Sequence, residues 1–297
     1  MRMIVRLAST VLFAACSWLC LCPTSLAQVT SPGLSSVPEL EEGYKLLYEQ
    51  KFAEARVIFE KWAAANPDQP FGQVSLAASH LFEEFFLQRV LTSEYFLNDK
   101  RFTGGIEGTP DPGRIKNFDD AIVRARDLAT KRLKKTPKDP EGLFALTLCA
   151  GMQSDADSML LKKHMDGLKH LKEANTNAEM LLATHPDAFD AYVAPGVANY
   201  VIGSLSSSAR FMLWFGGIHG DRVLGMSQVQ KTADQGHYLQ PFAQILLALS
   251  ARREKKDDLA RKNLKELTEE FPGNAVYDAE YAKALGQPVP ASIGPAN

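Results

Sequence analysis

The sequence predicts an all-α protein, a solenoid of about five helical pairs followed by a single terminal helix. The first observation is the spacing of six residues in one segment, which fits two short helices folded back on each other. These residues are Gly43, Leu46, Phe52, Ala55, Phe59 and Pro67. Gly43 and Ala55 lack bulk where the two helices cross closely. Phe52 and Phe59 fill the space beside that crossing, and Pro67 ends the second helix.

The second and third observations extend this pattern along the chain. Near the carboxyl end the same offsets recur, at Ala248, Ala251, Ala260, Leu264 and Pro272. Between the two copies, terminating prolines fall at Pro137 and Pro186, so insertions stretch the period without abolishing it. A stack of repeats suits a chain of this length, because each unit buries its apolar face on its neighbours.

With these residues, the segment from Gly43 to Pro67 resembles a tetratricopeptide repeat (TPR), a unit of about 34 residues with small, aromatic and proline positions at this spacing. The resemblance implies a right-handed α-solenoid in which the first helix of each pair lines the inner surface. The first repeat departs from the pattern at Glu39, Glu42 and Trp62, and the last departs at Asp257. The missing neighbour before an N-terminal repeat accounts for the two glutamates.

Residues 1–27 are predicted to be a secretory signal. Arg2 and Arg6 precede the uncharged run LASTVLFAACSWLCLC, and a small-residue cleavage site ends at Ala27. The run is shorter than the roughly 20 residues that span a bilayer, so a membrane anchor is the weaker interpretation. A lipoprotein processed at Cys16 ranks second, because the residues before this cysteine fit the required pattern poorly.

The rest of the chain divides into a flexible lead-in at residues 28–35, a TPR-like helical repeat domain at 36–286 and a disordered, Pro-rich tail at 287–297. Three of the four cysteines leave with the signal, so Cys149 has no partner for an internal disulfide. Export with stabilisation by packing alone fits a periplasmic or secreted protein better than a disulfide-stapled module. Cys149 lies in an apolar helical run and is predicted to be buried and inert.

Charge and motifs exclude several classes of function. The chain carries 33 basic and 35 acidic residues, and loss of Arg2 and Arg6 with the signal leaves 31 against 35, a net charge of −4. No basic excess points to a nucleic-acid partner. The sequence lacks a G-x-S-x-G elbow, an H-E-x-x-H zinc motif and a phosphate-binding loop. We therefore predict a protein that is not an enzyme and needs no cofactor.

The middle repeats carry insertions, and several acidic or hydroxyl residues precede predicted helices. The Gly- and Pro-rich insertion at residues 99–116 has no helical pattern. Insertions of this length are usually functional or disordered, and we predict disorder. Short polar side chains at helix starts predict N-caps. The predicted caps are Ser36, Asp139, Asp187, Asp221, and either Asp257 or Asp258.

The most specific local motif is GIHGDRVLGM at residues 217–226. Gly220 is predicted to end a helix in a left-handed conformation, Asp221 to cap the next helix, and Gly225 to let that helix approach its neighbour. The motif resembles the G-F-x-G-D-R-x-x-G-L segment of a eukaryotic TPR family linked to clearance of inclusion bodies and to lipid handling. It departs from that pattern at Ile218 and at its last position. The resemblance implies a shared helical-pair geometry.

Two groups of side chains carry the residue types of a metal site. They are His80 with Glu83 and Glu84, and His164 with Asp166 and His170. We predict that neither group binds a metal. In the group at His80 the histidine precedes the glutamates, the reverse of the Glu-x-x-His motif of di-iron bundles. We predict that this group forms a solvated polar face of its helix. The two histidines of the second are six residues apart and fall on different faces of a helix.

The function predicted from sequence is a non-catalytic scaffold that binds a protein or peptide partner. Its candidate binding residues lie on first helices, Tyr44 and Tyr48 near one end and Arg252 and Arg253 near the other. One alternative is a binding protein for a small or lipidic ligand, held between the aromatic-rich middle helices. Another is a metal-dependent hydrolase. The aromatic run RFMLWFGGI at residues 210–218 is predicted to pack between pairs, with an exposed docking patch as the alternative.

Overall fold

The computed structural model describes residues 36–208, 210–211 and 219–289. In these residues the chain is helical and contains no strand. None of their helices is both long and apolar enough to cross a membrane. The predictions for the signal, the lead-in, most of the tail and most of the aromatic run fall outside these ranges.

Thirteen α-helices, one π-helical turn and one 3₁₀ turn make up the described chain. They are α1 (Pro38–Tyr48), α2 (Phe52–Ala65), α3 (Phe71–Leu87), α4 (Ser93–Phe96), α5 (Asp99–Gly104), α6 (Pro112–Lys135), α7 (Pro140–Asp155), the π turn (Ala156–Leu160), α8 (His164–Leu182), the 3₁₀ turn (Phe189–Tyr192), α9 (Val193–Ser204), α10 (Arg222–Gln235), α11 (Gln240–Arg253), α12 (Asp257–Glu270) and α13 (Ala275–Leu285).

The helices pack in pairs that are adjacent in sequence, except that α3 pairs with α6 across the short helices α4 and α5. The pairs are α1 with α2, α3 with α6, α7 with α8, α9 with α10, and α11 with α12, and α13 packs on α12. Successive pairs touch through α2 and α3, α6 and α7, α8 and α9, and α10 and α11. The prediction of an all-α chain built from sequence-adjacent helices is confirmed, and this packing is compatible with an α-solenoid.

The predicted crossings lie where the sequence places them. A Cβ added at Gly43 would overlap the ring of Phe59. Ala55 is completely buried on the facing helix. In the last pair Ala248 and Ala260 are equally buried. Small residues at these positions let the helix axes approach, because a larger side chain has no free space to enter.

Two of the five predicted N-caps are confirmed. The Asp139 carboxylate accepts a hydrogen bond from the Gly142 N–H at 2.7 Å. The Asp221 carboxylate accepts from the N–H groups of Val223 and Leu224 at 2.7 and 3.0 Å. Each carboxylate satisfies backbone donors that have no partner inside the helix.

The other three predicted caps are wrong. The helical segments start one residue later than Ser36 and Asp187 require, so that Val37 and Ala188 occupy the cap positions without a side-chain hydrogen bond. In the last pair the helix starts earlier than predicted. Asp257 is the first residue of α12, and Lys256 occupies the cap position. There Asp257 stabilises the helix by its charge near the amino end.

The insertion at residues 99–116 is not disordered, so that prediction is wrong. It begins with α5, which Asn98 caps by accepting from the Arg101 N–H at 3.1 Å. It ends in α6, whose cap is Asp111. Between them the Ile106 N–H donates to the Met159 carbonyl at 2.8 Å, which ties the insertion to the π turn. Asn98 and Asp111 cap the helices on either side of the Gly- and Pro-rich stretch. A disordered loop has no such caps.

The two ends of the described chain meet. The Tyr48 hydroxyl donates to the Tyr238 carbonyl at 2.8 Å, and the Asn274 side chain donates to the Tyr48 carbonyl at 2.8 Å. The ring of Tyr44 also lies 5.0 Å from that of Tyr238 and 6.1 Å from that of Phe71. First helices from distant pairs therefore converge on one aromatic core.

Candidate functional site

Tyr44 and Tyr48, the candidate residues on α1, lie in this aromatic core. Their exposed fractions are 4% and 3%. The Tyr44 hydroxyl accepts a hydrogen bond from Ser75 at 3.3 Å, and burial raises the pKa of both tyrosines. Both side chains face the interior of the molecule, where they form part of a cavity wall. Their contact with a protein partner stays a prediction.

Arg253, a candidate residue at the other end, binds a segment of its own chain. Its guanidinium donates to the Phe96 carbonyl at 2.7 Å and pairs with the Asp99 carboxylate. It also lies 4.4 Å from the centre of the Phe102 ring, a cation–π distance. One guanidinium nitrogen of the adjacent Arg252 is buried without a hydrogen-bond partner in the described part of the chain. The structure does not bring these arginines together with the two tyrosines.

Three small apolar cavities lie where the first helices converge. We name them the central cavity, the Phe86 cavity and the Met226 cavity, with volumes of about 80, 60 and 50 Å³. The central cavity lies between α1, α3, α7, α8, α9 and α11, and Ala78, Leu148, Val197 and Phe242 are among its wall residues. One water needs about 10–15 Å³ of such volume, so the central cavity has room for about five water-sized groups.

The three cavities adjoin one another. Phe82 and Tyr48 separate the central cavity from the Phe86 cavity. Phe242 and Asp155 stand between the central cavity and the Met226 cavity. Met152 contributes to the wall of the central cavity, and an unbranched thioether side chain adapts readily to what it contacts.

Asp155 is the chemically distinctive residue of the cavity walls. It is the last residue of α7, is partly buried, and borders both the central and the Met226 cavities. Burial raises its pKa to about 7. Among the described residues, none donates a hydrogen bond to it. The other acid of these walls, Asp190, accepts from the N–H groups of His237, Tyr238 and Leu239.

Asp190 stabilises the turn that leads into α11. Its three accepted hydrogen bonds fix the turn at residues 237–239, which leads into α11 and carries Tyr238 into the core. Burial raises the pKa of Asp190 to about 6, against the opposing effect of those three donors.

The sequence did not predict the environments of Asp155 and Asp190. Asp155 lies in the segment QSDADS, which predicts a helix break and gives no sign of an apolar cavity.

Residues of both candidate metal groups pair with side chains outside those groups. In the described residues no three His, Cys, Asp or Glu side chains lie together in a way that could hold a metal ion. Glu84 is 1% exposed and pairs with Arg114 at 2.5 Å, so the predicted solvated face is wrong at this position. Burial and the charge of Arg56 lower the pKa of His80 to about 4. In the second group His170 pairs with Asp157 at 2.9 Å.

The glycines of the GDR segment serve a close helix crossing. A Cβ on Gly225 would lie 2.6 Å from the Gly196 carbonyl oxygen, and one on Gly220 would lie 2.6 Å from the Gly203 nitrogen. The close approach predicted for Gly225 is confirmed. The left-handed conformation predicted for Gly220 is wrong, because its φ lies outside the left-handed region. Gly220 is small so that α9 can pass beside it.

A second concave feature lies on the surface between α8 and α9. This groove has a volume of about 350 Å³ and is mostly polar. Lys172, Asn175, Glu179 and His219 contribute to its walls, and Leu171 lies at its base. It is separate from the three apolar cavities except that Leu171 borders both the groove and the central cavity.

Comparison with family models, curated proteins and solved structures finds no match for this chain.

Proposed function

We propose that this chain is an exported, non-catalytic binding protein that holds a small apolar or lipidic ligand inside a right-handed stack of about five TPR-like helical pairs. The observation that supports this function is the set of three adjoining apolar cavities. Their walls combine side chains from helices far apart in sequence, such as Tyr48 of α1, Phe82 of α3 and Phe242 of α11. Apolar concave space with very few polar groups is typical of small-ligand sites.

Gly151 offers a way to fill the central cavity. It borders that cavity, and a Cβ added there meets no atom within 4 Å. Gly151→Leu therefore places a side chain in free space within α7, where leucine is also a better helix former than glycine. Gly104 provides the matched control, because a Cβ there also meets no atom within 4 Å and Gly104 borders none of the three cavities.

The experiment is native mass spectrometry of the mature protein, purified from its host and then incubated with 1-octanol. We expect wild type and Gly104→Leu to retain a bound small molecule or to take up octanol. Gly151→Leu is expected to do neither while keeping its melting temperature. Octanol binding that is unchanged in Gly151→Leu would contradict a ligand site in the central cavity, as would wild type that neither retains a small molecule nor takes up octanol.

A protein-interaction scaffold is the second candidate, and the groove between α8 and α9 favours it. Its mixture of charged and amide side chains suits a polar peptide better than an apolar ligand. The test is capture of a partner from an envelope extract by wild type, Lys172→Glu and Gly151→Leu. A scaffold that uses this groove loses capture in Lys172→Glu only. Loss in Gly151→Leu only would link capture to the cavities.

A further inference from the structure

Asp155 is an acidic residue that lies between two apolar cavities. It borders both the central cavity and the Met226 cavity. The other residues that border both cavities are the apolar Val197 and Phe242. A polar group at the junction of two apolar spaces is well placed to fix the orientation of a ligand.

The remaining polar groups of these two walls already have partners. Tyr48 donates to a backbone carbonyl, and Thr147 donates to the Leu143 carbonyl at 2.8 Å. In the Met226 cavity the Tyr200 hydroxyl donates to the Glu254 carboxylate at 3.4 Å. Asp155 differs from these groups because no described residue donates to its carboxyl. Asp155 is partly buried, so its carboxyl has lost part of its hydration without gaining a protein donor, and a ligand that supplies the donor offsets that loss.

Tyr95 adds a second unsatisfied group beside Asp155. Its side chain is 3% exposed, and its hydroxyl has no hydrogen-bond partner in the described structure. Burial and the nearby Asp155 carboxyl together raise the pKa of Tyr95 to about 12. A buried hydroxyl without a partner, close to a partly buried carboxyl without a donor, indicates a site that a polar group of a ligand completes.

We infer that the ligand is an apolar chain that ends in a hydrogen-bond donor, an amine or a hydroxyl, which binds at Asp155. This inference rests on the proposed function and specifies the class of ligand. The apolar chain fills the central and Met226 cavities, and the donor end contacts the Asp155 carboxyl. A ligand that ends in a carboxylate is disfavoured, because two like charges in an apolar site repel each other.

The test uses three probes with the same chain, 1-octylamine, 1-octanol and octanoate, titrated calorimetrically at pH 8 into wild type and three variants. Asp155→Asn removes the charge with little change of shape. Asp166→Asn makes the same chemical change at an exposed position and serves as the control. Gly151→Leu blocks the central cavity. Melting temperatures of all four proteins show whether each is folded.

We expect wild type to bind octylamine most tightly, octanol less tightly and octanoate least. A hydrogen bond to a charged group contributes about 1.5–3 kcal/mol, so Asp155→Asn should weaken octylamine binding by about 10- to 100-fold. It should also reduce the discrimination against octanoate. Asp166→Asn should behave like wild type, and Gly151→Leu should bind none of the probes.

The outcomes separate the inference from the proposed function. If wild type binds all three probes equally and Gly151→Leu blocks them, the cavity holds apolar ligands but the role of Asp155 is refuted. An octylamine preference that persists in Asp155→Asn refutes it as well. If wild type binds none of the probes, the proposed function itself fails.

Discussion

At the scale of single residues, the first helical crossing depends on side-chain size at a few positions. Ala55 is completely buried, and Gly43 lies against the Phe59 ring. The sequence predicts this contact because the two helices are joined by a short turn, so their facing residues are close in sequence as well as in space. The positions of the small residues then specify the register directly.

Enlarging Ala55 is expected to destabilise the protein. Ala55→Leu forces three more carbon atoms into a packed crossing, which should cost about 1–3 kcal/mol of unfolding free energy. Val57→Leu on the same helix is the matched control, because Val57 is 64% exposed and surface changes usually stay within about 0.5 kcal/mol. Urea denaturation measures both variants. Equal midpoints for Ala55→Leu and wild type would contradict the crossing.

Asp155 should make stability depend on pH. Its pKa is about 7 in the folded protein and about 4 in an unfolded chain. Between these values the folded state holds a proton that the unfolded state has released, so stability falls as pH rises through this window and levels off above pH 7. Asp155→Asn removes this contribution, which amounts to at most about 1.4 kcal/mol for each pH unit.

The measurement is the unfolding free energy of wild type and Asp155→Asn at pH 5 and pH 8. Asp190, whose pKa burial also raises, adds the same trend to both proteins and cancels in the comparison. We expect Asp155→Asn to gain stability relative to wild type at pH 8. Parallel pH profiles would show that the Asp155 carboxyl is well solvated.

At the scale of elements, local signals and tertiary contacts contribute differently. Asp139 and Asp221 cap helices as predicted, because a cap needs only a side chain and the following backbone N–H groups. The caps predicted at Ser36 and Asp187 fail although the residue types suit them. In α1, Pro38 sets the start of the helix, since its ring favours the first helical position.

The segment from α4 to α5 is held in place by residues that are distant in sequence. Local sequence patterns cannot predict such contacts. Arg253 of α11 binds the Phe96 carbonyl, pairs with Asp99 and stacks on Phe102. From the other side, Glu280 of α13 accepts from the Ser93 N–H at 3.1 Å. The segment that leads into the Gly- and Pro-rich stretch therefore becomes ordered through two helices near the carboxyl end.

Removing the Arg253 contacts should loosen this segment selectively. In Arg253→Ala the Phe96 carbonyl loses its donor, and we expect faster hydrogen exchange over residues 93–106 with little change in α6. Arg261→Ala is the control, because Arg261 forms only a surface pair with Asp258. Exchange rates measured by mass spectrometry decide the matter. Unchanged rates in residues 93–106 would show that other contacts hold the segment.

At the scale of the whole molecule, contact between the two ends distinguishes this chain from an open stack of repeats. An open stack is held by nearest-neighbour contacts alone. Here α1 also contacts the turn before α11 and the start of α13, through Tyr238 and Asn274. Repeat spacing reports which neighbours pack together. It carries no information on how far the stack turns, so neither the contact between the ends nor the apolar cavities could be predicted from the pattern.

Asn274 allows the closing contact to be separated from helix capping. Its side-chain oxygen caps α13 by accepting from the Val276 and Tyr277 N–H groups, while its amide nitrogen donates to the Tyr48 carbonyl. Asn274→Asp keeps a good cap but removes that donor. Asn274→Ala removes both. Each lost hydrogen bond is worth about 1 kcal/mol.

If the ends stabilise each other, Asn274→Asp should speed hydrogen exchange in α1 as well as near residue 274, although α1 begins more than 220 positions away in the sequence. Asn274→Ala should do the same and additionally loosen α13, because its cap is lost. Exchange that increases only in α13, and only in Asn274→Ala, would mean that capping is the sole role of Asn274. In that case the chain behaves as a stack whose end repeats open independently, since nearest-neighbour coupling confines a terminal defect to the terminal repeat.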